Sequence, residues 1–206
     1  MADIDTFMGR APVIPVLVID RVEDARPIAE ALVAGGLPVL EVTLRTPAAL
    51  DAIREMKKVD GAVVGAGTVL DPDQLDTALE AGAEFVVSPG LTDRLGRAAA
   101  DAGVPFLPGT ATTGDIMRAL DLGFFRLKFF PATAAGGLPV LKAMTAVFGQ
   151  VRFCPTGGIT LASAPEWLAE PAVACVGGSW LVPRGQAIDP EAIRARAAAA
   201  AQLRSR

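Results

Sequence analysis

The sequence predicts an α/β protein of the (β/α)8 TIM-barrel class. Three observations carry this reading. Eight short apolar runs each lead into a helical pattern, glycines repeatedly close those helices just before the next run, and capping side chains or prolines mark several helix starts. Alternating βα units imply parallel strands with helical crossovers, and eight of them suggest a closed barrel. At 206 residues the chain is shorter than the roughly 250 usual for such barrels. An open doubly wound sheet is the competing arrangement, but it would not ordinarily need eight near-identical units in so short a chain. No linker or composition shift marks a second domain, so residues 1–206 read as one.

Along the chain, a leading helix over Ala2–Arg10 would cover the bottom or edge of the barrel. Strand-like runs follow at Val13–Ile19, Pro38–Leu44, Ala62–Val69 and Phe85–Pro89, then at Val104–Pro108, Phe124–Phe130, Val151–Pro155 and Val173–Trp180. Gly35, Gly82, Gly103 and Gly123 each precede the next strand by one to three residues, where helices commonly stop. Thr46-Pro47 and Asp189-Pro190 place a capping side chain before a proline that suits the first helical turn. Asp71-Pro72-Asp73-Gln74 adds a glutamine three residues after its cap, in the manner of a capping box. The alanine-rich end, Ala195–Arg206, reads as a solvated closing helix with a frayed tip.

Composition narrows the function. Hydrophobic content of 51% with 20% charged residues describes a globular chain. A net charge of -4 argues against a nucleic-acid partner, which selects for a basic face. No apolar run approaches the length of a bilayer span, and the acidic start Met1-Ala2-Asp3-Ile4-Asp5 lacks the apolar region of a secretory signal. No membrane partner and a cytoplasmic location are the expectation. The sequence has no histidine and no tyrosine. That removes imidazole as base or metal ligand, and phenol as acid, leaving Glu, Asp, Lys, Cys or water to move protons. Cys154 and Cys175 lack a CxxC spacing and read as small buried hydrophobes.

Of the four lysines, only Lys128 lies inside an apolar strand-like run, Phe124-Phe125-Arg126-Leu127-Lys128-Phe129-Phe130. A wall of phenylalanines would strip its hydration, disfavour the ammonium form and free an amine able to attack a carbonyl. The competing reading is a buried stem whose head reaches water. Strand alternation places its companions. With Leu40, Val42 and Leu44 facing the helices, Val39, Glu41, Thr43 and Arg45 point inward. With Phe125, Leu127 and Phe129 outward, Arg126, Lys128 and Phe130 point inward. Val151 and Phe153 outward leave Arg152, Cys154 and Thr156 inward, and Thr68 shares its face with Ala66 and Val64. An acid, a lysine and several arginines would converge. A buried ion-pair network gains little over apolar packing, whereas Glu41, Arg45, Thr68 and Lys128 fall toward the C-terminal strand ends that carry barrel active sites. The last two strands end in Thr156-Gly157-Gly158 and Gly177-Gly178-Ser179, where backbone N–H groups can approach a phosphate.

These motifs resemble the 2-keto-3-deoxy-6-phosphogluconate (KDPG) aldolases, class I aldolases of the Entner–Doudoroff pathway. The resemblance runs from about Val13 to Val182 and includes Glu41-Val42-Thr43-Leu44-Arg45-Thr46, Gly65-Ala66-Gly67-Thr68 and Ser88-Pro89-Gly90. It continues through Lys128-Phe129-Phe130-Pro131-Ala132, Arg152-Phe153-Cys154-Pro155-Thr156-Gly157-Gly158 and Gly177-Gly178-Ser179-Trp180. It implies Lys128 as the Schiff-base lysine and Glu41 as the general acid/base. It further implies Arg45 and Thr68 on the pyruvyl carboxylate, Pro89 and Phe130 as pocket walls, and Thr156 beside the substrate chain. Gly157, Gly158 and Ser179 would bind phosphate. The implied partners are a phosphorylated keto-sugar acid and pyruvate, with no cofactor or metal and a homotrimeric assembly. The loops Pro108–Thr112 and Ala132–Gly137, with Thr110 and Thr133, look less like the family pattern. Alternatives are an aldolase for 4-hydroxy-2-oxoglutarate, one for the galactonate epimer, in which an asparagine is expected near Arg45, and a phosphosugar-binding barrel without catalysis.

Overall fold

The computed structural model describes residues 3–203. Helix α1, Ile4–Met8, is capped by the Asp3 side chain, which accepts from the Thr6 N–H. The leading helix is thus shorter than Ala2–Arg10, and Ala2 lies outside the described residues. Parallel strands and helices then alternate: β1 Val13–Leu17, α2 Val22–Ala34, β2 Val39–Thr43, α3 Ala49–Met56, β3 Val63–Gly67 and α4 Pro72–Glu80. Next come β4 Val86–Val87, α5 Asp93–Ala102, β5 Phe106–Leu107, β6 Gly109–Thr110 and α6 Thr113–Asp121. The chain continues with β7 Arg126–Phe129, α7 Gly137–Thr145, β8 Arg152–Pro155, α8 Ala164–Leu168, β9 Val176–Gly178 and α9 Pro190–Ala201. The tip of the expected closing helix, 204–206, lies outside the described residues.

The strands form two curled parallel sheets. One has the order β5-β4-β3-β2-β1-β9 and the other β6-β7-β8. The fifth expected strand, Val104–Pro108, is shortened to Phe106–Leu107, since Pro108 has no N–H to give the ladder, although its carbonyl still accepts from Lys128. Gly109–Thr110, expected as loop, pairs with Lys128 and Phe129 on β7. At the other side, isolated parallel bridges join Phe153 to Val173 and Thr156 to Gly177, beside β8 and β9.

Caps explain most helix starts. Asp71 accepts from the Gln74 N–H at 2.8 Å, while the Gln74 side chain accepts from Leu70 instead of Asp71, a shifted version of the expected box. Asp189 caps α9 through the Ala192 N–H. Thr46 does not cap a helix: its hydroxyl donates across to the Ile19 carbonyl, and α3 begins later, at Ala49. A reciprocal box that the sequence reading passed over joins Thr112 and Asp115 at the start of α6. Gly103 ends α5 in the left-handed conformation at φ 63°.

Apolar side chains separate into two clusters. Leu17, Leu40, Val42, Val64, Ala66, Leu127, Phe129 and Phe153 lie in the larger one, packed against the helices. Ile14, Val39, Val63, Phe85, Val87, Leu107, Cys154 and Cys175 form the other, on the opposite face of strands from both sheets. Phe7 and Met8 of α1 belong to this second cluster, and the Phe7 and Phe85 rings lie 5.3 Å apart. Alternation therefore holds for most assigned positions on β2, β7 and β8, but on β3 Val64 and Ala66, expected on the inward face of Thr68, pack toward the helices. Phe125 departs from it: it precedes β7 and is 45% exposed, while Phe124 packs edge-on against Phe106. Because Phe85 has no solvent exposure and sits where several strands meet, Phe85→Ala is expected to lower stability by about 3–5 kcal/mol. Urea unfolding followed by circular dichroism would check this, with the midpoint shifting at unchanged slope.

Candidate functional site

Glu41 is the middle residue of β2 and Lys128 the third of β7, so they reach toward each other from different sheets. Lys128 Nζ donates to Glu41 Oε1 at 2.9 Å, and the two residues are 5% and 3% exposed. An ion pair this dry is held against a desolvation cost of several kcal/mol per charge. The expected phenylalanine wall is mostly absent. Alternation sends Phe129 to the helix side, and the Phe130 ring lies near the amine, with its centroid 5.5 Å from Nζ. Dehydration comes instead from enclosure between β6 and β8, where Gly109 and Cys154 are the register partners of Lys128.

The floor under the pair is sulfur-lined. Cys154 Sγ lies 3.9 Å from Thr156 Oγ1. The Cys175 thiol is pushed well above the usual thiol range by the neighbouring Cys154 thiol, by burial and by the charge of Glu41. Both cysteines are buried, as expected, yet they are neighbours in space despite lying in separate runs.

Gly67 ends β3 directly against the acid. A Cβ built there would lie 2.3 Å from Glu41 Oε1, so only glycine lets the carboxylate pass. Thr68 follows at φ 61°, a left-handed conformation that is costly for a β-branched residue. Its inferred companions Val64 and Ala66 pack toward the helices, so this twist, and not strand alternation, sets where Thr68 points. Arg45, just beyond β2, is solvent-exposed, with Nε donating to Thr43 Oγ1 at 3.0 Å. Pro89, just beyond β4, and Phe130, just beyond β7, are both half-buried at the same strand ends.

Thr156 is buried, and its carbonyl and that of Gly157 accept from the Ala132 and Thr133 N–H groups, tying the loops after β7 and β8 together. Gly157 and Gly158 both have positive φ, and a Cβ on Gly158 would lie 2.6 Å from Thr133 Oγ1. Gly177 and Gly178 belong to β9, and Ser179 is exposed just past it. The Thr156–Gly177 bridge brings the two glycine pairs side by side.

Arg126 and Arg152 do not join the site. Each is the first residue of its strand, so correct alternation puts it at the far, N-terminal end. Arg126 pairs with Asp5 of α1, and Arg152 is exposed and donates to the Gly149 and Val151 carbonyls. Conversely, the buried Thr43 was read only as an inward position, with nothing local to reveal its bond to the Leu17 carbonyl.

A dry amine in contact with a carboxylate, on parallel strands of an α/β fold, is the equipment of a lyase that works on carbonyl compounds through proton transfer. The comparisons agree. The family model for KDPG and KHG aldolases matches residues 4–196. A 2-dehydro-3-deoxy-phosphogluconate aldolase of Zymomonas mobilis is 64% identical over 186 residues, covering 90% of this chain and 89% of the relative. A crystal structure of the Zymomonas mobilis KDPG aldolase with 3-phosphoglycerate superposes with a TM-score of 0.96 at 61% identity, covering 98% of this chain and 96% of the other. The Legionella pneumophila KDPG aldolase, with pyruvate captured as a covalent carbinolamine, gives 0.94 at 45% identity, covering 97% and 98%. The chain belongs to the KDPG and KHG aldolase family. Gly67→Ala is expected to lower aldolase turnover about a hundredfold by displacing the Glu41 carboxylate, with the fold retained. Steady-state rates measured beside a thermal melt would separate the two effects.

Proposed function

We propose that the chain is a class I aldolase that cleaves 2-keto-3-deoxy-6-phosphogluconate to pyruvate and glyceraldehyde 3-phosphate. The observation that carries this is the 2.9 Å contact between the buried Lys128 amine and the Glu41 carboxylate. In the same reading, the two sheets close into one (β/α)8 barrel forming a single domain, with α1 covering its bottom. Support comes from the inner cluster shared by strands of both sheets and from the bridges beside β8 and β9. The family resemblance supports a homotrimer acting in the Entner–Doudoroff pathway in the cytoplasm. Among the described residues no helix is long and apolar enough to cross a membrane.

Chemistry follows from the pair. Glu41 takes a proton from the Lys128 ammonium, and the free amine adds to the C2 ketone to give a carbinolamine. Loss of water leaves an iminium. Glu41, after passing its proton to the departing hydroxyl, accepts the C4 hydroxyl proton directly or through water. The C3–C4 bond breaks, its electron pair moving into the iminium to form an enamine, while C4 becomes the aldehyde of glyceraldehyde 3-phosphate. Glu41 returns the proton to C3, and water hydrolyses the resulting iminium, releasing pyruvate and the Lys128 amine. Arg45 and Thr68 hold the substrate carboxylate, Pro89 and Phe130 wall the pocket, and Thr156 lies beside the carbon chain. The phosphate rests on the Gly157-Gly158 loop and Ser179, a placement supported by their adjacency, and the 3-phosphoglycerate in the Zymomonas mobilis structure supports a phosphorylated ligand. A second activity on 4-hydroxy-2-oxoglutarate is supported by the family description, which names KHG aldolases beside KDPG aldolases.

Borohydride reduction in the presence of pyruvate should fix the adduct mass on the peptide containing Lys128, read by mass spectrometry. Modification of Lys57, Lys58 or Lys142 instead would remove the assignment. Lys128→Arg should abolish turnover, since a guanidinium stays protonated. For the phosphate loop, Gly158→Val is expected to raise KM for the phosphorylated substrate at least tenfold more than for 4-hydroxy-2-oxoglutarate, because the added bulk meets Thr133 at positive φ. Equal effects on the two substrates would assign the loop to folding alone.

A further inference from the structure

Arg45 is exposed, yet its guanidinium is tied back to its own strand. Its backbone N–H donates to the Thr43 carbonyl at 2.8 Å, and its Nε donates to the Thr43 hydroxyl at 3.0 Å. Among the described residues no carboxylate lies within ion-pair distance of it, and neither terminal nitrogen has a protein acceptor. Thr43 is 2% exposed, and its single hydroxyl proton goes to the Leu17 carbonyl at the end of β1, 2.7 Å away. A carbonyl can only accept, so the direction of this bond is fixed, and the hydroxyl lone pairs are left to face Nε–H. The hydroxyl is therefore oriented by β1 before it orients the arginine.

Its height in the site matters. Thr43 sits two residues beyond Glu41 on the same strand, on the same face and roughly 6.5 Å further along. Arg45 Nε is thus drawn back to the layer directly above the Lys128–Glu41 pair. A guanidinium offers two edges for a two-point contact with a carboxylate, one through Nε and one through both terminal nitrogens. With Nε taken, the terminal edge alone remains.

We infer that Thr43 is a positioning residue for the keto-acid carboxylate: it locks Arg45 so that the terminal edge of the guanidinium is presented above the reacting amine. This rests on the proposed role of Arg45 and adds to it the residue that sets the orientation. A merely structural Thr43 would tie β1 to β2 and affect stability only. The test measures pyruvate KM and kcat by exchange of the methyl protons with solvent deuterium, alongside thermal melts. Thr43→Val keeps the shape and removes the bond, and is expected to raise KM on the order of tenfold with kcat changed less than about threefold. Thr43→Ser should restore KM, and Arg45→Ala should raise it at least as far. The double variant Thr43→Val/Arg45→Ala should match Arg45→Ala alone, since both act through one contact. If Thr43→Val fails to fold, Thr43→Ala carries the same expectation. An unchanged KM in Arg45→Ala would overturn the carboxylate role and this inference together. A raised KM in Arg45→Ala with a normal KM in Thr43→Val, or no rescue by serine, would overturn the positioning role alone.

Discussion

Everything around the inner face of the strands is arranged to keep one amine and one carboxylate dry and touching. Separating Lys128 from Glu41 would leave a buried charge without a partner, a change that typically costs about 3–5 kcal/mol. Apolar packing of the same volume is often at least as stable, so stability alone does not account for the pair, which fits the chemical role proposed for it. Its surroundings make sense on those terms. Gly67 gives the carboxylate room, Gly109 and the small Cys154 side chain flank the lysine with little bulk, and Phe130 lies over it.

The architecture divides labour by direction. Side chains facing the helices, such as Leu127, Phe129 and Phe153, supply burial, while those on the other face change character along each strand. At the N-terminal ends they are plugged by Phe7 and Met8 or paired outward, as Arg126 is with Asp5. Further along, apolar and thiol-bearing side chains share the interior with the Lys128–Glu41 pair, and at the C-terminal ends the positions are polar, strained or glycine. A substitution on the helix side is therefore mainly a matter of stability, and one at the C-terminal ends mainly a matter of chemistry.

Strand alternation made much of this legible before any coordinates. The period of two placed Glu41 and Lys128 on one face, and placed Leu40, Val42, Leu127 and Phe129 on the other, because a one-residue error would have buried the wrong set. Period alone cannot say how deep along a strand a residue lies, which is why Arg126 and Arg152 were grouped with Lys128 although they sit at the opposite end. It also fails where the backbone leaves the pleat, as at Thr68 with its positive φ and at Pro108, where the ladder is interrupted. Thr46 carries a plausible local capping signal, but the distant Ile19 carbonyl, just beyond β1, is the partner its hydroxyl takes. Alternation gives Thr43 an inward position but not its bond, since its partner is 26 residues away and the register of β1 against β2 brings them together.

The two thiols in the floor of the site have a practical consequence. Alkylating reagents attack thiolates in contact with water; Cys154 and Cys175 are both buried while the strands stay closed, and the Cys175 thiol is in addition held well above the usual thiol range. Labelling must wait for an opening that parts strands beside Lys128 itself. The rate of thiol modification in dilute reagent therefore reads out how often the chain exposes the heart of its own interior, with no probe added to the sequence. A bound substrate that spans the sheets from Lys128 should slow that clock.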